Sequence, residues 1–316
     1  MLPLNWKKLG KVFSAEQLPQ GQTHAQVPTV LVLEDRLRVY FAFRPEANLS
    51  LTSIVDLDRK DPTQILDIHP EPILQPGKPG AFDEHGVMPS CVRQHPSGEV
   101  WLYYGGWSRR ESIPYSNWTG IAVSHDMGLS FERKFQGPVL DRTPNEIYSA
   151  TAPCIIERDG QLHCWYACGI DWKNVKGKYE EFYTIRKALS PSDDGVNWTR
   201  EERNLFTYDS DDPTPIHRPT VIPYKEGYLM LFCHRKTSDF RDGSNAYRIG
   251  AAFSNDLKTW ERNDELAGLE PSANGWDSKM MAYPQLVTYD DTMLLFYNGN
   301  SFGKHGFGIA KAIVKS

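Results

Sequence analysis

The chain has 316 residues, 40% of them hydrophobic and 12% aromatic, which is enough apolar material for a sizeable core within a single all-β domain. A formal charge of −5 removes any global attraction to nucleic acid or to an anionic membrane. No run of about 18 apolar residues predicts a membrane-spanning helix, and the opening MLPLNWKKLGKVF lacks the apolar stretch of a secretory signal.

In chain order, one pattern recurs. A proline is followed by a short apolar run, a turn and an aromatic-rich run. It reads VPTVLVLEDRLRVYFAF from Val27, MPSCVRQHPSGEVWLYYGG from Met88, and APCIIERDGQLHCWYACG from Ala152. It returns as RPTVIPYKEGYLMLFCH from Arg218 and YPQLVTYDDTMLLFYNG from Tyr283. The prolines, Pro28, Pro89, Pro153, Pro219 and Pro284, lie 61, 64, 66 and 65 residues apart. Each copy predicts a β-hairpin with a polar turn, and proline is tolerated where an inner strand begins.

A third strand follows in each copy, as in TGIAVS at Thr119 and YRIGAAFS at Tyr247. A turn and an aromatic-x-basic stretch come next. SHDMGLSFER at Ser124 carries a Ser-x-Asp turn box, with the aspartate accepting turn hydrogen bonds. The fifth copy runs out after its third strand. Trp6-Lys7-Lys8 matches Trp198-Thr199-Arg200 and Trp260-Glu261-Arg262, so the N-terminus is expected to complete the last unit and close a ring. The expectation is a single five-bladed β-propeller spanning 1–316, with blades at 20–75, 76–140, 141–206, 207–270 and 271–316 plus 1–14.

Cys91, Cys154, Cys164, Cys168 and Cys233 are odd in number and fall in apolar runs. They are expected to be buried free thiols in a reducing, cytoplasmic setting. Cys164 and Cys168 have no matching second pair, which argues against zinc.

A hairpin brings the start of its first strand beside the end of its second. Residues before each proline and after each aromatic run should therefore share one channel mouth. Blade one supplies His24 and Arg44. Blade two supplies Asp83, Glu84 and His85, with Trp107, Arg109 and Arg110. Blade three supplies Arg142, Glu146 and Tyr148, then Asp171 and Trp172. Blade four supplies Asp211, Asp212, His217 and Arg218, then His234 and Arg235. Blade five supplies Asp277, Lys279 and Tyr283, then Asn298, Asn300, Lys304 and His305.

FDEHGVMPS, GEVWLYYGG, WDSKMMAYPQLV and FYNGN resemble segments of the five-bladed β-propeller glycoside hydrolases: the arabinanase and β-xylosidase group, the invertase group and the mannoside phosphorylases. The chain also resembles uncharacterised proteins encoded among bacterial surface-polysaccharide genes. The hydrolase resemblance implies an acidic base or nucleophile on blade one with acidic partners on blades two and three. Asp83 or Glu84 and Glu146 fit the latter two. Blade one departs, because GQTHAQVP offers His24 and no carboxylate. No cofactor is expected from the residues, and the fold analogy alone allows a calcium ion in the channel.

Glycoside cleavage uses two carboxyl groups, about 5 Å apart for retention and roughly 6.5–9.5 Å for inversion. Asp83, Glu84, Glu146 and Asp277 are the candidate catalytic carboxylates. Trp107, Trp172 and Tyr148 are candidate sugar platforms. Arg44, Arg142, Arg218, Arg235, Lys279 and Lys304 form a basic ring suited to a phosphate or carboxylate on a ligand. His24, His85, His217, Tyr283 and Asn300 complete the candidate binding set. The leading expectation is a glycoside hydrolase-like enzyme cleaving or transferring a glycosyl unit. The alternatives are a transferase or phosphorylase on an anionic or activated sugar, and a sugar-binding propeller without chemistry. The expected partner is a carbohydrate or sugar phosphate, with no nucleic acid and no membrane.

Overall fold

A computed structural model describes residues 2–45, 49–207 and 214–313. Strand β1 (Trp6–Phe13) stands apart from the sheet that follows it in sequence. Blade one is β2 (Thr23–Val32), β3 (Arg36–Arg44), β4 (Leu51–Asp58) and β5 (Ile65–Leu74). Blade two is β6 (Gly86–Gln94), β7 (Val100–Arg109), β8 (Tyr115–Ser124) and β9 (Glu132–Arg133). Blade three is β10 (Ser149–Arg158), β11 (Gln161–Val175), β12 (Lys178–Pro191) and β13 (Thr199–Glu201). Blade four is β14 (Ile216–Tyr224), β15 (Gly227–His234), β16 (Arg248–Ser254) and β17 (Glu261–Arg262). Blade five is β18 (Ala282–Tyr289), β19 (Thr292–Asn298) and β20 (Phe307–Ala312), completed by β1.

The innermost strands β2, β6, β10, β14 and β18 each touch the next, and β18 touches β2, so the ring closes. Two short parallel pairings, Ser149 with Asn117 and Ala150 with Trp118, stitch blade two to blade three. Second strands such as VWLYYGGW are apolar on both faces because each is sandwiched between neighbouring blades. Tyr40, Leu102 and Tyr104 join the packing between blades one and two.

The closure matches the sequence expectation. β1 runs antiparallel to β20, with Trp6 opposite Ala312 and Phe13 opposite Phe307. Phe13 is fully buried, with its ring 4.8 Å from Phe41 and 5.7 Å from Phe307. Gly308 lies at a tight point, where a Cβ would stand 2.3 Å from the carbonyl oxygen of Gly10 and 2.4 Å from the Trp276 ring. Gly308→Ala is expected to lower stability by about 1–3 kcal/mol, read as a lower urea midpoint, because backbone cannot swing aside as a side-chain tip can.

Each inner strand bulges at its proline. Register shifts fall at Gln26/Thr29, Pro89/Cys91, Thr151/Cys154, His217/Thr220 and Ala282/Gln285. The residue before proline takes a left-handed backbone in four of the five, with φ of 51° at Val27, 51° at Ala152, 57° at Arg218 and 55° at Tyr283. Such conformations are strained in residues other than glycine and tend to collect at functional sites. All four residues line the central cavity.

None of the five cysteines is in a disulfide. Among the described residues, no helix is long and apolar enough to cross a membrane.

Candidate active site

Three of the four candidate catalytic carboxylates do something else. Asp83 is buried, 2.7 Å from the Arg133 guanidinium, and accepts the Tyr104 hydroxyl at 3.0 Å. Asp277 is buried, 2.8 Å from Lys8, and accepts the Tyr297 hydroxyl at 3.0 Å. Glu146 is buried between Arg186 at 3.1 Å and Arg200 at 2.5 Å, and accepts the Tyr166 hydroxyl at 2.7 Å. The same brace is thus built three times. A carboxylate preceding the inner strand meets a second-strand tyrosine and a fourth-strand cation. Its cation is the basic residue of the aromatic-x-basic stretch. In blade four that position is Arg262, stacked 5.3 Å from Phe232 and paired with Asp264 at 2.7 Å. Asp211 and Asp212 lie outside the described residues.

Glu84, the fourth, accepts the Gly80 N–H at 2.7 Å and lies 3.6 Å from His85. None of the four lines the cavity. They were expected to flank a scissile bond; their side chains are held in the contacts above, outside the cavity lining. Asp83, Glu146 and Asp277 turn between the strands of their blades, and Glu84 turns to the loop at Gly80.

The cavity itself has a volume of about 630 Å³. Of the candidate binding residues it gathers Arg44, Trp107, His217, Arg218, Arg235 and Tyr283. The others stand outside its wall. His24 pairs with the Thr23 hydroxyl at 2.9 Å, and burial, followed by the charges of Arg44, Lys304 and His305, pushes its pKa down to about 4. His85 packs beside Trp107 and accepts the Arg109 backbone N–H. Arg142 covers the Trp118 ring. Tyr148 is half-buried and Lys304 is exposed. Asn300 accepts the backbone N–H groups of Lys279 and Met280, a turn-capping role. Trp172 supports the wall edge-on to Tyr115, with ring centroids 5.1 Å apart.

Among the described residues, five arginines, Arg44, Arg109, Arg218, Arg235 and Arg241, line the cavity against two carboxylates, Glu180 and Glu181. Arg241 grips Glu180 with two bonds of 2.6 and 2.8 Å, so that pair is neutral. Arg218 lies at the centre, fully buried. It donates to the carbonyls of Pro89 and Pro28 and to the Thr29 hydroxyl, and burial pushes its pKa down to about 10. Arg235 donates to the Tyr247 hydroxyl and to the carbonyls of Glu181 and Lys236, under the Phe240 ring at 3.8 Å. Among the described residues, Arg44, Arg218 and Arg235 have no carboxylate partner. His217 is neutral, its pKa pushed to about 3 by burial and then by Arg218 and Arg235, and its buried Nδ1 has no hydrogen-bond partner.

Glu181 is the cavity's other carboxylate, absent from the sequence-based candidates along with Glu180, Arg241, Tyr115 and Tyr247. Burial raises its pKa to about 7, while hydrogen bonds from Ser149 and Tyr115 and the charge of Arg235 pull the other way. Below neutral pH it is an acid holding a transferable proton inside a cationic cavity. The signal was the Lys176-Gly177 turn, both residues left-handed at φ 52° and 84°. This two-residue hairpin turn starts β12 at Lys178, five residues before the strand expected at Tyr183. Among the described residues no cluster of three His, Cys, Asp or Glu side chains could hold a metal ion.

No protein-family model matches the chain. Over 309 residues, 96% of this chain and 98% of the relative, it is 34% identical to the "Uncharacterized protein Rv1502" of Mycobacterium tuberculosis strain ATCC 25618 / H37Rv. The chain belongs to the Rv1502 family. A more distant relative, the "1,2-beta-oligomannan phosphorylase" of Thermoanaerobacter sp. strain X514, is 23% identical over 72% of this Rv1502-family chain and 69% of its own. The fold is that of the propeller glycoside hydrolases. A solved structure named "Glycoside hydrolase" covers all of this chain and 93% of its own at TM-score 0.75 and 16% identity. One reported under "The GH130 family of mannoside phosphorylases contains glycoside hydrolases that target beta-1,2 mannosidic linkages in Candida mannan" covers 98% and 95% at TM-score 0.70 and 14% identity.

Proposed function

We propose that the chain is a carbohydrate-active enzyme that transfers a glycosyl unit between a glycoside and phosphate, with Glu181 as the general acid. One observation carries the reading. Among the described residues, the cavity holds a single carboxyl group free of an ion pair, with its pKa raised to about 7, beside Arg44, Arg218 and Arg235, which lack carboxylate partners there. Hydrolysis by side chains alone needs two working carboxyl groups. Phosphorolysis needs one, because a phosphate oxygen supplies the nucleophile. The distant phosphorylase relative supports this choice, and its named substrate makes β-linked mannosides the first glycosides to test.

In the proposed step a phosphate oxygen bonds to the anomeric carbon as the bond from that carbon to the leaving oxygen breaks. Glu181 gives its proton to the leaving oxygen. The products are a sugar 1-phosphate and a free alcohol. Arg44 and Arg218, with the unpartnered His217 Nδ1, are proposed to seat the phosphate. The unpaired thiols are compatible with a reducing cytoplasm.

The test is release of sugar from β-mannosides with and without inorganic phosphate. Turnover is expected only with phosphate, with sugar 1-phosphate as product. Arg44→Ala is expected to raise the KM for phosphate by about tenfold or more, the worth of a charged hydrogen bond. Equal turnover without phosphate would return the chain to simple hydrolysis.

A further inference from the structure

A second recess of about 380 Å³ opens beside the cavity and shares Pro114, Glu180 and Arg241 with it. Its walls are the loop after β7, Arg110–Pro114, and the tip of the β11–β12 hairpin. That hairpin is peculiar to blade three. Its strands run 15 and 14 residues, and no other described strand exceeds 10. The overhang pairs Lys173 with Glu180 and Trp172 with Glu181, so one extension carries both the proposed acid and the recess wall.

The recess has its own chemistry. Tyr179 is 46% exposed. Arg241 is neutralised by Glu180, whereas Arg110 bonds only the Ser116 hydroxyl, at 3.0 Å, and Lys178 has no ion pair among the described residues. Against these two cations the recess offers one further acid, Glu111. The recess adjoins Glu180, next to Glu181 in the chain, whereas Arg218 reaches carbonyls of blades one and two.

We infer that this recess is the subsite for the half of the substrate that leaves, or in the reverse direction accepts, the glycosyl unit, and that this half is a sugar bearing a phosphate or carboxylate. Which half it takes rests on the phosphate-transfer reading above. The anion meets Arg110 and Lys178 while the sugar ring lies on Tyr179.

Calorimetric titration at low salt, with inorganic phosphate saturating the main cavity, tests this without requiring turnover. The probes are D-mannose, D-mannose 6-phosphate and D-glucuronic acid. At least one anionic sugar is expected to bind about tenfold or more tightly than mannose. The stronger of the two tells phosphate from carboxylate. The double variant R110A/K178A, both at the surface, should erase the preference and keep the wild-type melting temperature. No preference in the wild type overturns the inference. So does a preference that survives R110A/K178A and disappears in R44A, since the anion then sits in the main cavity. Absence of phosphate-dependent turnover overturns the mechanism and leaves this binding result standing by itself.

Discussion

Glu181→Gln is expected to lower kcat by about 10²–10⁴-fold, the usual worth of a positioned acid, with ligand affinity retained. The wild-type rate should fall as pH rises through about 7, where Glu181 loses its proton. Stability carries the same signature. The folded carboxyl titrates near 7 and the unfolded one in the ordinary range, so the folded state binds the extra proton between them. Its contribution is complete below the unfolded pKa and is lost as pH climbs through the folded one. The loss is on the order of 3 kcal/mol between pH 4 and 8, and E181Q, neutral throughout, should lack it. Urea midpoints of both proteins across that range check the sign. A variant that turns over at the wild-type rate removes Glu181 from the chemistry.

Glu146→Ala is expected to be the most damaging single change to stability, at about 3–5 kcal/mol, because it strands two guanidinium groups and a hydroxyl in a nearly closed space. Activity per folded molecule at low temperature should survive. A protein that unfolds at the wild-type urea midpoint yet has no activity would restore Glu146 to the site. Asp277→Asn should do less harm, since Lys8 also donates to the carbonyl of Glu270 and the Ser272 hydroxyl.

These two glutamates mark how far the sequence can be read. The ring was legible because its signals are local and repeated. Five prolines at near-equal spacing mark five inner strands, and Trp6-Lys7-Lys8 is recognisable as a displaced fourth strand. The mouth of the channel was legible as an end of each blade, and it yielded Arg44, Trp107, His217, Arg218, Arg235 and Tyr283. Side-chain direction was not. Asp83, Glu146 and Asp277 precede inner strands as site residues would, but the tyrosine and cation that claim them come from strands 20 to 269 residues away. Glu180 and Glu181 were hidden for a different reason. They sit on a hairpin overhang that breaks the repeat, and a search for periodicity passes over whatever is present once.

The pairing of Trp6 with Ala312 makes β1, the earliest of the described strands, the last of them to find its partner. At about 5–20 residues per second, the nascent chain carries β1 unpaired for roughly 15 seconds to a minute. Throughout that time β2 also lacks its neighbour β18, and Phe13 has no Phe307 to pack on. A message cut short, or a ribosome stalled before residue 307, therefore yields more than a shorter protein. It yields an open arc with two raw sheet edges, visible to chaperones and proteases. Stopped before blade five, the arc also lacks Tyr283 and Phe302 from its cavity. Closing the ring and completing the cavity wall become one event.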